Sequence, residues 1–580
     1  MKRALAVLTA PALIAALGCS VPLSNDKPYS TNICASDSDC PDGAACASLD
    51  GEALCVARSV DLPEVLFEVS PVLNGDVVIP SLVGPVDVTS MAGPYAIDLP
   101  LAAPQYVDVS PGRVYLPCAG EVPVPARVQL IPYSKYSGLL QQRVYDAEPT
   151  VDAAGGEAFH VSVPPGTYSV YIQPQPDLVI TPDCAGAPPV FAPLVTIDKA
   201  AAFTFHAGDI YTAQGTLKLS QKEDFTKWYL EIVEPITGRI ISDVIQPEQM
   251  GLDLEVPFAI RFDWSSRGQE TQIMPFIRLR PPEGSGKPTI HWSLAASASG
   301  KEVDRVIPVK LDLSSVDTQS RKVEGRVIHD TKSVPSTGTI RSIGGPGGEL
   351  VRFETVLETD AQGHFEALVP RREYIVIARP YSDDYAFGTA AWDVQAGDEC
   401  YCGNAIEVPS AATLSGAVYG AAGEIVDAEV RVTPTASASQ SYLGNMLASD
   451  VQPRSASATT DNGQYKLHVD GGTFDLSIVP QSPGYPWLVR PRQIIGSPMA
   501  DSAPVLNLET MRFQSPAVLR GLASGADGAP LPGATIRAWI GVSDPQDPTV
   551  SPSAVQIGEA VADNQGNYVL LLPPSIKQGN

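Results

Sequence analysis

Through much of the chain, apolar and polar residues alternate with a period of two. In "TTDNGQYKLHVDGGTFDLSIV" (459–479), Tyr465, Leu467 and Val469 fall on one side of a segment, and Phe474, Leu476 and Ile478 on one side of the next. That spacing predicts two strands, each with one apolar face. Between Thr460 and Tyr465, Asp461 can bond its own backbone and Gly463 tolerates positive φ, so a tight hairpin turn is expected. Near-copies occur as "ADNQGNYVLLLPP" (562–574), "TDAQGHFEALVPRREYIVIA" (359–378) and, more loosely, "VDAAGGEAFHVSVPPGTYSVYIQP" (151–174).

The copies are periodic. Their turn aspartates are Asp152, Asp360, Asp461 and Asp563, and the aromatics that follow are Phe159, Phe365, Tyr465 and Tyr568. A spacing of roughly 100 residues, one domain's worth, separates successive copies, with a double step between Phe159 and Phe365. The double step implies another unit near residue 262, where "LDLEVPFAIRFDW" alternates but has no Asp-Gly turn. In three copies a second aromatic (Tyr168, Tyr374, Phe474) follows, and then a strand-ending proline (Pro174, Pro380, Pro480). Upstream, "VEGRVI", "LSGAVY" and "LRGLAS" open units at Gly325, Gly416 and Gly521, with weaker counterparts at Gly112 and Gly215. An isolated hairpin is marginal, so each unit must close a sandwich with its other strands, such as "AEVRVTP" and "TIRAWIG". Separately cored units are expected.

Composition agrees. The 580 residues contain 54 Pro and 48 Gly, too many breakers for long amphipathic helices and a better fit to many short strands with turns. A net charge of −26, from 39 basic and 65 acidic residues, argues against nucleic acid or anionic lipid as a direct partner.

At the N-terminus, "MKRALAVLTAPALIAALGCS" has a basic start and an apolar run from Ala4 to Leu17, then Gly18-Cys19. The run is too short to cross a bilayer core of ~30 Å, so 1–18 reads as a signal peptide. The "ALGC" ending resembles the lipobox of bacterial lipoproteins, although leucine is more usual than Ala16. The resemblance implies lipidation of Cys19, and Ser20 resembles the outer-membrane sorting pattern. The expected location is therefore the cell envelope, with the protein anchored to the outer membrane and facing the periplasm or the surface.

Eight further cysteines in an exported chain point to disulfides. Cys34, Cys40, Cys46 and Cys55 are closely spaced, resembling the small cysteine-rich, loosely Dickkopf-like modules found behind bacterial lipoprotein signals. A zinc site would want C-x2-C pairs or histidines, and "DSDCPDG" misplaces an acid for a calcium loop. Cys118 and Cys184 bracket the first sandwich and are candidates to pair with each other. Cys400-Tyr401-Cys402 suggests redox or copper chemistry, but with no adjacent His or Met a structural bridge is favoured, closing on itself or on distant partners.

The repeated pattern, ending in one copy with "PPGTY-x-V", resembles the carboxypeptidase regulatory-like domain, a transthyretin-like seven-stranded β-sandwich. The match is clear for 319–409, 410–510 and 511–580 and partial for 111–208; for 209–318 it rests on the period alone. The resemblance implies structural roles for the motif, and a further likeness to starch-binding-like sandwiches keeps glycan binding open. The expected architecture is all-β: a tether (19–33), a cysteine-rich module (34–56), then transthyretin-like or Ig-like sandwiches in a row. Segment 57–110 alternates like β-structure but matches no copy.

Enzyme signatures are missing. The six histidines are scattered without an HExxH pattern, there is no G-x-S-x-G, and "EGSGKP" lacks P-loop spacing. The turn aspartates recur on separate units, so they read as turn-formers. His364 and His468 fall in repeat hairpins and read as edge or solvent-facing residues. No catalytic residue, metal or cofactor is expected. Ligand-binding candidates are Tyr381, Tyr385, Trp392, Tyr485 and Trp487, dense in the loops after Pro380 and Pro480. Exposed rings there would stack on sugars; buried ones would pack beneath the loops. The favoured function is a non-enzymatic envelope spacer presenting binding or adhesion surfaces to a glycan or an envelope protein. The alternatives are a carbohydrate-binding protein and, third, an accessory part of an exported enzyme.

The last unit, 511–580, is expected to be incomplete. By the spacing of the other copies, the partner aromatic of Tyr568 should lie at 577, where Lys577 stands, three residues before the sequence ends. An open edge is expected, exposing Leu570 and Leu572 unless further chain or a partner strand fills it.

Overall fold

The computed structural model describes residues 32–576, apart from 50–51, 63, 73–80, 89–95, 103–105, 134–143, 176–186, 207–209, 219–226, 234–239, 247–254, 265–274, 315–319, 345–350, 395–399, 436–452, 497–504, 526, 544 and 546–551. The fold is all-β, with β-sandwiches in tandem behind an N-terminal module held by two disulfides, Cys34–Cys46 and Cys40–Cys55.

The sandwich over 412–512 shows the plan. Its strands are Ala412–Tyr419, Ala428–Pro434, Ala456–Thr459, Gln464–Val469, Gly472–Pro480 and Leu488–Ile495, with a seventh that runs as Val505–Asn507 and Met511–Arg512. The fourth, first and seventh strands form one sheet; the third, second, fifth and sixth form the other. The seventh pairs parallel to the first, whereas the other neighbours are antiparallel. Alternating residues close the core between the sheets, including Tyr465, Leu467, Phe474, Leu476 and Ile478.

The repeated hairpin turn has two forms. At Asp360, the carboxylate accepts from the N–H groups of Gln362 (2.8 Å) and His364 (2.9 Å), and Asp152 and Asp563 make the same bonds two and four residues on. The copy at Asp461 is one residue shorter. There Asn462 and Gly463 take φ of 51° and 76°, and the backbones of Asp461 and Gln464 bond reciprocally, as in a two-residue hairpin of type I′.

The opening glycines meet the hairpin aromatics directly. Gly112 lies opposite Phe159, Gly325 opposite Phe365, Gly416 opposite Tyr465 and Gly521 opposite Tyr568. A Cβ on Gly325 would stand 2.8 Å from Phe365 Cζ, and one on Gly416 2.6 Å from the Tyr465 hydroxyl oxygen. At Gly112, Gly325 and Gly416 the ring therefore covers the backbone that the missing side chain leaves bare, whereas at Gly521 the backbone of Leu99 and Pro100 comes closest. Gly215 lies opposite Phe258 in the same way, so the unit over 210–313 has this pairing without an Asp-Gly turn. Its third-strand position is taken by residues 240–245, which bond to Leu230 and Ile232 on Tyr229–Val233.

Two expectations need correction. The units are not all separately cored. In the second sandwich the edge strand Thr289–Ser293 pairs with the edge strand Val351–Glu358 of the third, so one seven-stranded sheet crosses both, and a single apolar cluster runs from Ala213 to Val408. Two edges that would each need protection cover one another.

The second correction concerns the chain end. Ala517–Ser524, Thr535–Val542, Ser553–Val561 and Asn567–Leu572 occupy the first four positions of the plan. The other three come from segment 57–110: Val65–Ser70 is the fifth strand, Ser81–Val86 the sixth, and Ala96–Asp98 with Leu101–Ala102 the seventh. Leu570 and Leu572 are fully buried, and the Tyr568 hydroxyl donates to Leu99 O at 2.5 Å. Position 577 lies outside the described residues. On the outer face of this sandwich, Val518 and Leu571 are covered by Ala47, Leu49, Leu54 and Val56 of the cysteine-rich module. Because each seventh strand leads within a few residues to the next first strand, the covalent path leaves this split sandwich at Ala102 and returns to it at Ala517.

Candidate binding surfaces

Of the five aromatic candidates, only Tyr381 is exposed (60%). Tyr385 is half-buried with its ring centroid 4.9 Å from that of His329, and Trp392 is buried against Phe365 at 5.7 Å. Tyr485 stacks on Phe513 at 5.4 Å, and its hydroxyl donates to Glu424. Trp487 leaves its own sandwich to pack into the core of the split one, with the Arg431 guanidinium 5.8 Å from its ring centroid. Four of the five thus pack beneath or between the loops, and one ring is left open to solvent.

These loops are joints. Arg454 of the fourth sandwich is paired with Asp470, whose side chain is fully buried (2.8 Å), and donates to Pro380 O (2.9 Å), Ser382 O (3.3 Å) and Tyr385 O (2.6 Å) in the loop of the third. His468 approaches Asp384 at 3.2 Å across the same junction. A charged donor that satisfies three carbonyls and a buried carboxylate is among the stronger polar contacts available. Sequence reading missed both: Arg454 lies outside the hairpin segment, and Asp470 stands within it where other copies have Pro164 or Pro370.

The junction of the first and second sandwiches holds a cleft of about 720 Å³ lined by Arg127, Gln129, Tyr171, Gln173 and Asp243 among others. Tyr171 donates across it to Ile240 O at 3.3 Å. Burial raises the carboxyl pKa of Asp243, although Arg261 bonds one of its oxygens at 2.9 Å. Its other oxygen, Oδ1, is buried without a hydrogen-bond partner. Buried acceptors are rarely left so.

The turn aspartates sit on separate sandwiches, as their spacing implies. His364 bonds Glu324 (3.0 Å), and His291 lies half-buried on the shared sheet, where desolvation lowers its pKa to about 4. Cys118 is disulfide-bonded; its candidate partner Cys184, like Cys19, lies outside the described residues. Cys400 and Cys402 bridge to each other, with Glu324 beside both sulfurs. Among the described residues, no helix is long and apolar enough to cross a membrane.

No family model and no curated protein sequence matches the chain. Solved structures similar to it include the TIE protein of Bacillus anthracis, 10% identical over 71% of this chain and 75% of that one, with a TM-score of 0.16. A streptococcal ancillary pilin is 12% identical over 52% and 99%, with a TM-score of 0.21. The shaft pilin SpaA of Lactobacillus rhamnosus GG is 9% identical over 34% and 98%, with a TM-score of 0.19. The chain itself is a multi-domain all-β protein of tandem sandwiches.

Proposed function

We propose that the protein is a non-enzymatic, lipid-anchored envelope spacer of carboxypeptidase regulatory-like sandwiches that holds binding or adhesion surfaces in fixed positions. The observation that supports this best is the bonding at its joints. A shared sheet links the second and third sandwiches, Arg454 locks the third to the fourth, and Trp487 plugs the fourth into the split sandwich. A chain of independent binding modules would need no such contacts, since flexible linkers are enough to connect modules. The export signal ending in Gly18-Cys19 supports the anchor. Several acyl chains on one cysteine hold a protein stably, where a single chain is marginal. Mass spectrometry of the mature N-terminus tests it, with cleavage before Cys19 and acylation expected. An unmodified mature chain free in the medium would remove the anchor. Small-angle scattering tests the joints: one rigid particle is expected, and an ensemble of flexibly linked domains would sink the spacer reading.

Carbohydrate binding remains the second reading, supported now by the cleft between the first two sandwiches. Gln129, Gln173 and Tyr171 line it, and glutamines with a tyrosine are common sugar-contacting residues. A glycan array with the D243N variant as control tests it; equal signals from both proteins would reject the cleft.

A further inference from the structure

The outer face of the four-stranded sheet in the third sandwich that contains Arg321–His329 gathers four side chains from three of its strands. Cys400 and Cys402 come from Cys400–Glu407, Glu324 from Arg321–His329 and His364 from His364–Val369. A Glu324 carboxylate oxygen and both sulfurs lie within 4.8 Å of one another. His364 Nε2 is 3.0 Å from Glu324 Oε1, and Lys322 Nζ is 3.0 Å from Oε2. Cys402 is exposed and Cys400 half-buried, so solution reagents can reach the pair.

A bridge between residues two apart closes too short a loop to restrict the unfolded chain as the bridges of separation 12 and 15 do. Stability therefore explains this pair poorly. Two sulfurs with a carboxylate, the carboxylate held by a histidine, match the donors of a thiophilic cation. The histidine of the set was invisible in the sequence because it reaches the C-x-C from a strand 36 positions upstream, through Glu324 on the strand between.

We propose that Cys400, Cys402 and Glu324 form a redox-gated site for a thiophilic d10 cation of the Zn²⁺ class, with His364 as a positioning residue. As a disulfide the sulfurs are bonded to each other and the site is closed. A dithiol reductant opens it by exchange: two electrons and two protons pass to the sulfurs, and the reductant leaves as its own disulfide. The cation then displaces both thiol protons and bonds the two sulfurs and a Glu324 oxygen, leaving its fourth position to water or a partner's ligand. His364 orients the carboxylate from behind.

The test uses the full mature protein, reduced with a phosphine that is then removed, and titrated anaerobically with Cd²⁺ as probe. Reduction also frees the other cysteines, so C400S/C402S is the reference that carries them unchanged. Wild type should bind one Cd²⁺ more than C400S/C402S, with a matching gain in the ultraviolet sulfur-to-metal band, and the oxidised protein should lack that gain. H364A should weaken the extra site roughly 10–100-fold, and H364Q, which keeps a donor for Glu324, should restore most of it. If C400S/C402S does not fold, peptide mapping of wild type replaces it: Cd²⁺ should shield Cys400 and Cys402 from alkylation. Equal binding by wild type and C400S/C402S, or alkylation unaffected by Cd²⁺, would overturn the site. H364A binding as tightly as wild type would overturn the role given to His364.

Discussion

The fourth sandwich and the split sandwich share one strand plan and differ in where their strands come from. The fourth draws all of them from a continuous 412–512; the split one joins 517–572 to 65–102, so that Arg537 and Glu68 meet at 3.1 Å across a sequence separation of 469. The plan is thus set by apolar alternation and edge complementarity, and chain continuity is not required. Folding order should differ. The fourth can close as soon as it is made, whereas the split one must wait for 517–572 while its first-made strands stay unpaired.

Removing 65–102 sharpens this contrast most. Tyr568, Leu570 and Leu572 would then face solvent, and hydrogen exchange should show protection lost across 517–572 but retained in 412–512. Protection retained in both would mean that the split sandwich stands on four strands alone.

Matched core truncations come next. Phe67 and Phe474 are both fully buried in fifth strands. F67A and F474A should each cost about 3–5 kcal/mol, with the first unfolding the split sandwich and the second the fourth. Domain-resolved exchange reads the difference, and a single shared transition in both variants would contradict it.

Asp475 gives the fourth sandwich a pH dependence. Burial pushes its pKa up from 3.8 to about 6, against the Arg492 N–H that favours the charged form. Between those values the folded state keeps a proton the unfolded state has lost. The stability of this sandwich should therefore fall as pH rises from about 4 to 6, and then level off. D475N should flatten that slope and raise stability at pH 8 by about 2–3 kcal/mol. Denaturant melts at pH 4 and pH 8 check it; an unchanged slope would remove Asp475 as the cause.

The smallest expected effect is at the turn. Gly463 has φ of 76°, and a Cβ there would stand 2.8 Å from Val418 O. G463V should cost about 1–3 kcal/mol, confined to the fourth sandwich; urea midpoints measure it, and no shift would mean that the turn relaxes freely.

The hairpins, their inward aromatics and the sandwich class were legible because turns from an Asp to a Gly two or three residues on, and period two, are local signals. The split was not. Val65, Phe67 and Val69 alternate as a strand should, but nothing local says that their partner Thr535–Val542 lies at the far end of the chain. The joints were not legible for a related reason: loop aromatics can signal burial without saying against what, and burial of Trp487 depends on a neighbouring sandwich whose core is assembled from 65–102 and 517–572. The sulfur site needed adjacency across a sheet, which spacing along one strand cannot supply.

Ser70 and Thr535 lie directly opposite each other in the antiparallel pair that joins the two ends, a separation of about 4.5–5.5 Å between Cα atoms that suits a disulfide. Oxidation of the S70C/T535C variant, read by peptide mass spectrometry and non-reducing gels, tests the closure directly. A 70–535 crosslink within a monomer is expected; failure to form it, or its appearance only between chains, would contradict a sandwich built from the two ends of one molecule.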